Sequence, residues 1–337
     1  MTILETENAE KWQQFTAEEA LEQEVTLKET LIKAAHSPLY KNLWKTVHFK
    51  PEEFSCTNDL NKIPYLTRKS LFEATRTKTS SITIGPVGHW FLGHDSFKVH
   101  EWFPFSNKDF LGIAPALSRL NSAVGLHAGD VVLVVVDMPQ RISSFIPFLW
   151  TYAEEPKSCG LEFINGSLEW CGSLGMSWIT FIQKRRPTAL LASKKNAAEF
   201  AEKLQTMGTS IEEVLPELRL GVFFGEGSKY QLKHYEPVET FEVYSPVEHM
   251  AFWSECKRHD GIHAWLDSAI PEVLPDGEKE AQLLSESSEG VEGELVITNF
   301  SEALPLIRYR TGKHIRVEGI GKCICGAEHP RISFLTK

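Results

Sequence analysis

The chain has 337 residues, 42% of them hydrophobic and 24% charged, which suffices for a large core and matches an ordinary globular protein. Its formal net charge of −10 argues against a nucleic-acid partner, because affinity for the phosphate backbone rests on Lys and Arg. No apolar run approaches the roughly 20 residues a bilayer demands, and the acidic, polar segment Met1–Glu10 lacks the basic and apolar regions of a secretory leader, so a cytoplasmic protein away from membranes is expected.

In chain order, Ala9–Ala35 reads as a helix, with Leu21, Val25, Leu27, Leu31 and Ile32 at helical spacing, ended by Ser37-Pro38. Thr67 is a fitting N-cap for a helix over Arg68–Ala74. Ser80–Gly85 reads as a strand running into the Gly85-Pro86 turn, and Asp109–Val124 as a helix closed by Gly125. The continuous β-branched run Val131–Val136 suits a strand buried on both faces. A helix over Arg141–Tyr152 follows it. Ala189–Ser193, Ala197–Met207 and Leu218–Phe224 repeat the alternation of strand and helix. Such alternation predicts an α/β fold with parallel strands and crossover helices. Glu278–Gly293 is acidic and rich in Ser and Gly, and reads as a loop; Glu294–Thr298 and Ile315–Glu318 read as short strands. One domain is expected, with sub-lobes over about 1–240 and 241–337.

The most specific sequence lies near the end. Gly293–Phe300 (GELVITNF) is followed by Ala303–Gly312 (ALPLIRYRTG), and then by Cys323-Ile324-Cys325-Gly326 and His329-Pro330-Arg331-Ile332. This string resembles the "GELV…PLIRYRTGD" block of phenylacetate–CoA ligases, within the adenylate-forming (AMP-binding) superfamily. Upstream, Glu255-Cys256 with Gly261-Ile262-His263, and Tyr244–Glu248, stand where that family carries "EC…G-H" and an aromatic–Gly–x–Thr–Glu motif. Ser37–Tyr40 and Ile63–Thr67 are similar to its entry region. The resemblance implies the large N-terminal core of an adenylate-forming enzyme. It also implies that the hinge and the small lysine-bearing C-terminal domain are missing from this chain.

In the family, ATP and a carboxylic acid give an acyl-adenylate, and a thiol then takes the acyl group. That chemistry requires a Ser/Thr/Gly-rich phosphate loop, a carboxylate for Mg²⁺ and a carboxylate for the ribose hydroxyls. By position, Glu248 is the Mg²⁺ ligand, Tyr244 lies near the adenine, and Arg310 belongs to the nucleotide block. The ribose aspartate is replaced by Lys313, which has donors and no acceptor. The phosphate-loop region, Gly93–Trp102, carries Phe97, Val99 and Trp102 and the acids Asp95 and Glu101 in place of small residues, a composition that crowds and repels a phosphate. His89, His94 and His100 make this stretch a candidate lining for an altered pocket.

Six cysteines in a chain without a leader point to thiols or metal ligands rather than disulfides. Cys323-x-Cys325 with Cys256 and a histidine gives a set suited to tetrahedral Zn²⁺. Both His259 and His263 follow Cys256 closely; the family's "G-H" aligns with His263. A Cys₃His set has no open coordination position, so the expected zinc is structural. Two functions are weighed. One is a divergent ligase-like protein that binds a small carboxylic acid or aryl ligand, or a partner, without adenylation. The other is a working ATP/Mg²⁺-dependent acid–thiol ligase, with a separate protein supplying the C-terminal domain.

Overall fold

The structure is a computed structural model that describes residues 14–77, 82–94, 100–136, 160–225, 232–246, 248–249 and 251–335. Helix α1 (Ala17–Ala34) starts where Thr16 caps it: the Thr16 hydroxyl accepts from Glu19 N at 3.2 Å, and the Glu19 carboxylate accepts from Thr16 N at 2.8 Å. Of the helix expected over Ala9–Ala35, residues 9–13 lie outside the described residues, and residues 14–16 are not helical. Pro38 opens α2 (Pro38–Lys45), and Thr67 receives Ser70 N at 3.2 Å at the head of α3 (Arg68–Thr77). Ile82–Gly85 is not a strand; Ile84 N donates instead to Ala303 O at 3.0 Å. Strands β1 (His89–His94) and β2 (His100–Phe105) pair antiparallel. Two helices replace the one expected over Asp109–Val124: α4 (Asn107–Leu111) and α5 (Ile113–Val124). The break has a local cause, since Pro115 has no N–H for the carbonyl four residues back and fits only a first turn.

β3 (Val131–Val136) and β4 (Glu162–Ser167) follow, then α6 (Leu168–Leu174), α7 (Met176–Arg185), β5 (Ala189–Ser193), α8 (Lys194–Thr206) and α9 (Ile211–Val214). The helix expected over Arg141–Tyr152 lies outside the described residues. β6 (Leu220–Phe224), β7 (Glu239–Tyr244), β8 (Trp253–Ser254) and β9 (Ile262–His263) precede β10 (Ala269–Pro275), β11 (Gln282–Leu283), β12 (Glu292–Asn299), β13 (Tyr309–Gly319) and β14 (Arg331–Phe334). The acidic stretch expected as a loop thus contains β11 and the start of β12. Among the described residues, no helix is long and apolar enough to cross a membrane.

The chain forms two compact units, residues 1–112 with 263–337, and residues 113–262. The division differs from the one expected near residue 240, because the first segment packs with the last strands. Tyr40 hydroxyl donates to Pro305 O at 2.5 Å and accepts Ile307 N at 3.1 Å. Leu66 bridges Tyr309 in parallel, with Leu66 N on Arg308 O and Arg310 N on Leu66 O. The strands of this unit run antiparallel in the order β11-β10-β12-β13-β14.

In the other unit β4, β3, β5, β6 and β7 lie side by side in that order and all parallel, with β8 antiparallel on β7. Every residue of β5 and β6 is buried, as continuous apolar runs in parallel strands require. Leu133, Val135, Leu190 and Phe223 form a core with Trp178, Phe200 and Leu204.

One polar network joins His127, Thr188 and Arg219 to Asp130 at the opening of β3. Asp130 accepts from His127 N at 2.9 Å, from the Thr188 hydroxyl at 2.7 Å and from Arg219, which forms an ion pair with it. Burial alone pushes the Asp130 carboxyl up, but the His127 N–H, Arg219 and Thr188 together outweigh it and hold it below its ordinary value. A depressed folded value means that the bonds stabilise the fold above the unfolded carboxylate range and that this contribution is lost as pH falls through the folded value. Asp130→Asn is therefore expected to cost about 1–3 kcal/mol at pH 7. The gap to the parent should narrow below about pH 4. Urea denaturation at several pH values checks this, and a pH-independent gap would contradict it.

Candidate metal centre and nucleotide-facing residues

Cys256, His263, Cys323 and Cys325 bring their ligand atoms within 4.8 Å of one another. His263 is fully buried, Cys256 and Cys323 nearly so, and Cys325 is half-buried. His263 turns Nε2 toward Cys325 Sγ at 3.5 Å. A tetrahedral Zn²⁺ with Zn–S of about 2.3 Å and Zn–N of about 2.0 Å places its ligand atoms roughly 3.5–3.8 Å apart, so the cluster has the donor chemistry for zinc and is about 1 Å wider than an ideal site at its largest separation. The local fold explains the placement. Cys323 N donates to Ala327 O at 2.8 Å and Gly326 N to Cys323 O at 2.9 Å, and the turn needs Gly326 at φ 96°. The His263 ring stacks on Trp265 at 5.2 Å; Trp265 meets the edge of His329, and Ala264 N donates to Pro330 O. His329 Nδ1 accepts Leu266 N at 3.2 Å. The His329-Pro330 segment thereby packs around His263. His259 stands outside the cluster, against the Phe241 ring and close to Glu239 and Glu255.

Arg310 borders a bulge in β13, and Lys313 lies within it. Val296 pairs with Arg310 and Glu294 with His314, so Thr311, Gly312 and Lys313 stand opposite Leu295 alone. Gly312 has φ 72°, which a side chain would oppose. Glu294 is committed to holding this turn. One carboxylate oxygen accepts Arg310 Nε at 2.8 Å within an ion pair, and the other accepts Gly312 N at 3.0 Å. The Thr311 hydroxyl donates to Leu295 O at 2.7 Å and accepts Lys313 N at 3.1 Å.

In the unit of residues 113–262, Tyr244 ends β7 and is 2% exposed. Its hydroxyl lies 3.1 Å from His249 Nε2, and its ring packs on those of His249 and Trp253. Glu248 is half-buried in the turn that follows; Val247 lies outside the described residues. Of the expected phosphate-loop region, Asp95–Val99 also lies outside them, and its flanks are the β1–β2 hairpin.

Sequence reasoning missed Glu272 and the role of Arg308. Arg308, two residues before Arg310, is buried and grips Glu272 of β10 through Nε at 3.1 Å and Nη2 at 2.8 Å. The available signal was a lone acid inside the apolar run Ala269–Leu274, since a charge buried in a strand needs a partner.

No protein-family model matches the chain. Phenylacetate-coenzyme A ligase of Pseudomonas putida is 24% identical over 309 residues, spanning 81% of this chain and 61% of that protein. Among solved structures, 2-hydroxyisobutyryl-CoA ligase in an open conformation with 2-HIB-AMP and CoA superposes with a TM-score of 0.76 at 18% identity, over 93% of this chain and 73% of that one. The same ligase in its thioesterification state gives 0.77 at 19%, over 95% and 69%. GH3.15 acyl acid amido synthetase gives 0.59 at 13%, over 93% and 67%. By sequence the chain is similar to phenylacetate-coenzyme A ligase, of whose length it spans 61%, and by fold it shares the α/β architecture of these solved ligases.

Proposed function

We propose that this chain is a divergent ligase core that binds a small carboxylic acid or aryl ligand without adenylating it on its own, and that Cys256, His263, Cys323 and Cys325 hold a structural Zn²⁺. The observation that carries the first part is Lys313. It occupies the position where the family's ribose-binding aspartate is expected, and the carboxylate next to it, Glu294, is already spent on Arg310 and Gly312 N. Ribose hydroxyls call for an acceptor there, and an ammonium offers donors alone. The zinc assignment is supported by four buried or half-buried donors within 4.8 Å of one another and by a set with no open position, which suits structure rather than catalysis.

Titration of the protein with ATP and Mg²⁺ in a calorimeter tests the first part. No binding is expected up to millimolar ATP. Micromolar binding would overturn the proposal and favour the ligase reading, in which Glu248 takes Mg²⁺, Tyr244 adjoins the adenine and a partner protein supplies the lysine-bearing domain.

A further inference from the structure

The three thiols of the metal cluster lie at unequal depth. Cys256 and Cys323 are buried, whereas Cys325 is half-buried. Its neighbour Ile324 is 84% exposed, so the segment that carries Cys325 stands at the surface of its unit. A small oxidant in solution therefore meets Cys325 first, with Cys323 sheltered behind it. Cys56 is half-buried too, but it lies outside the cluster.

Cys323 and Cys325 share one turn, closed by Gly326 N on Cys323 O at 2.9 Å and by Cys323 N on Ala327 O at 2.8 Å. A tight turn keeps Cα atoms two residues apart about 5–6 Å from each other. That lies within the range of about 4.4–6.8 Å that a disulfide accepts. The two sulfurs are already within 4.8 Å, so side-chain rotation is enough to join them. A disulfide between cysteines separated by one residue closes a small, strained ring. Strained or exposed disulfides are the readily reduced ones, which suits a reversible bond rather than a permanent staple. Thiols that ligate a metal are held as thiolates, the form that attacks an oxidant.

We propose that Cys323 and Cys325 form a reversible disulfide when a peroxide reaches them, and that forming it discharges the metal. The Cys325 thiolate attacks one peroxide oxygen, the O–O bond breaks, and hydroxide leaves to take a solvent proton. The resulting sulfenic acid is attacked at sulfur by the Cys323 thiolate. The S–O bond breaks, a second hydroxide leaves and is protonated, and the S–S bond forms. The two thiolates give up two electrons, and the peroxide is reduced to water. Cys256 and His263 are then the only donors left of the four, too few for a closed site. The release of metal rests on the structural-zinc reading above; the thiol pair does not.

Hydrogen peroxide added to the purified, unaltered chain is the probe, followed by alkylation and peptide mass mapping. The peptide carrying Cys323 and Cys325 is expected to be lighter by the two thiol hydrogens and closed to alkylation. Dithiothreitol should open both cysteines again, and Cys56 should form no such bond. A zinc-binding dye should report about one ion released per chain, in step with the disulfide. Three results would each overturn the proposal: Cys323 and Cys325 still open to alkylation after Cys56 has oxidised, Cys325 carried to the irreversible sulfinic acid, or a bond made to Cys256 instead. Zinc analysis before the oxidant separates this proposal from the reading it deepens. A chain that holds zinc and forms no bond removes the switch alone. A zinc-free chain that forms the reversible bond removes the zinc site and the release, and upholds the thiol pair.

Discussion

Replacing Cys323 with serine is expected to lower the zinc content from about one ion per chain to near none and to reduce the Tm by roughly 3–10 °C. Cys323 is 4% exposed, and its own N–H and carbonyl close the turn that presents Cys325. Structural zinc returns its binding free energy as folding free energy, on the order of 10–16 kcal/mol in small zinc-finger peptides. A chain with a large independent core forfeits only part of that, about 2–5 kcal/mol. His263→Ala should act in the same direction. His259→Ala should keep its zinc, because that ring sits on Phe241 and not in the cluster; Cys56→Ser should do the same, because Cys56 is a free cysteine that is not among the four clustered residues. Metal analysis with thermal melts of the four variants is the measurement. A zinc-free parent with the same Tm as the zinc-treated protein would dispose of the site, and zinc loss in His259→Ala would reassign its histidine.

Much of the fold is legible in the sequence wherever one physical requirement dominates. Val131–Val136 reads as a buried strand because parallel strands covered on both faces tolerate only apolar residues, and β5 and β6 are readable for the same reason. The cluster residues could be named from two short motifs, but spacing could not choose between His259 and His263. That choice depends on how Trp265 and the His329-Pro330 segment pack around the ring. The helix break near Gly112 had a visible signal in Pro115, outweighed by the apolar periodicity on either side. The least legible feature was the grouping of the first segment with the last strands. Ile63–Leu66 and Leu306–Arg310 are far apart in the chain, and their union through Leu66 and Arg308 leaves no periodicity in either. Each looked like a separate motif, whereas they build one piece of structure. Within the PLIRYRTG string, sequence reasoning assigned function to Arg310, and packing makes Arg308 the residue on which that piece turns.

Arg308→Met is expected to cost about 3–5 kcal/mol, the largest loss from any single ion pair among the described residues. Both Arg308 and Glu272 are 2% exposed. Besides its two bonds to Glu272, Arg308 donates through Nη1 to Ile63 O at 2.9 Å and through Nη2 to the Tyr65 hydroxyl at 3.2 Å, and it lies over the Tyr65 ring at 4.3 Å. These bonds also hold a backbone at φ 47°, a conformation that a side chain adopts only when its surroundings enforce it. Lysine would keep the charge and lose the fork that reaches Glu272, Ile63 and Tyr65 together, so Arg308→Lys should recover little. The pH dependence separates loss of the pair from loss of packing. Burial pushes the Glu272 carboxyl up, and Arg308 opposes that push. Without Arg308 the carboxyl binds its proton more tightly in the folded than in the unfolded state, so the stability of the variant should fall as pH rises from about 5 to 8. Its deficit against the parent should therefore be greatest at the upper end. The double variant Arg308→Met with Glu272→Leu removes both charges and should regain most of the loss, because a buried pair contributes little net stability once its desolvation is counted. Denaturant titrations of the singles and the double form a complete cycle. A double variant as unstable as Arg308→Met alone would show that the bonds to Ile63 and Tyr65, and not the ion pair, carry the energy.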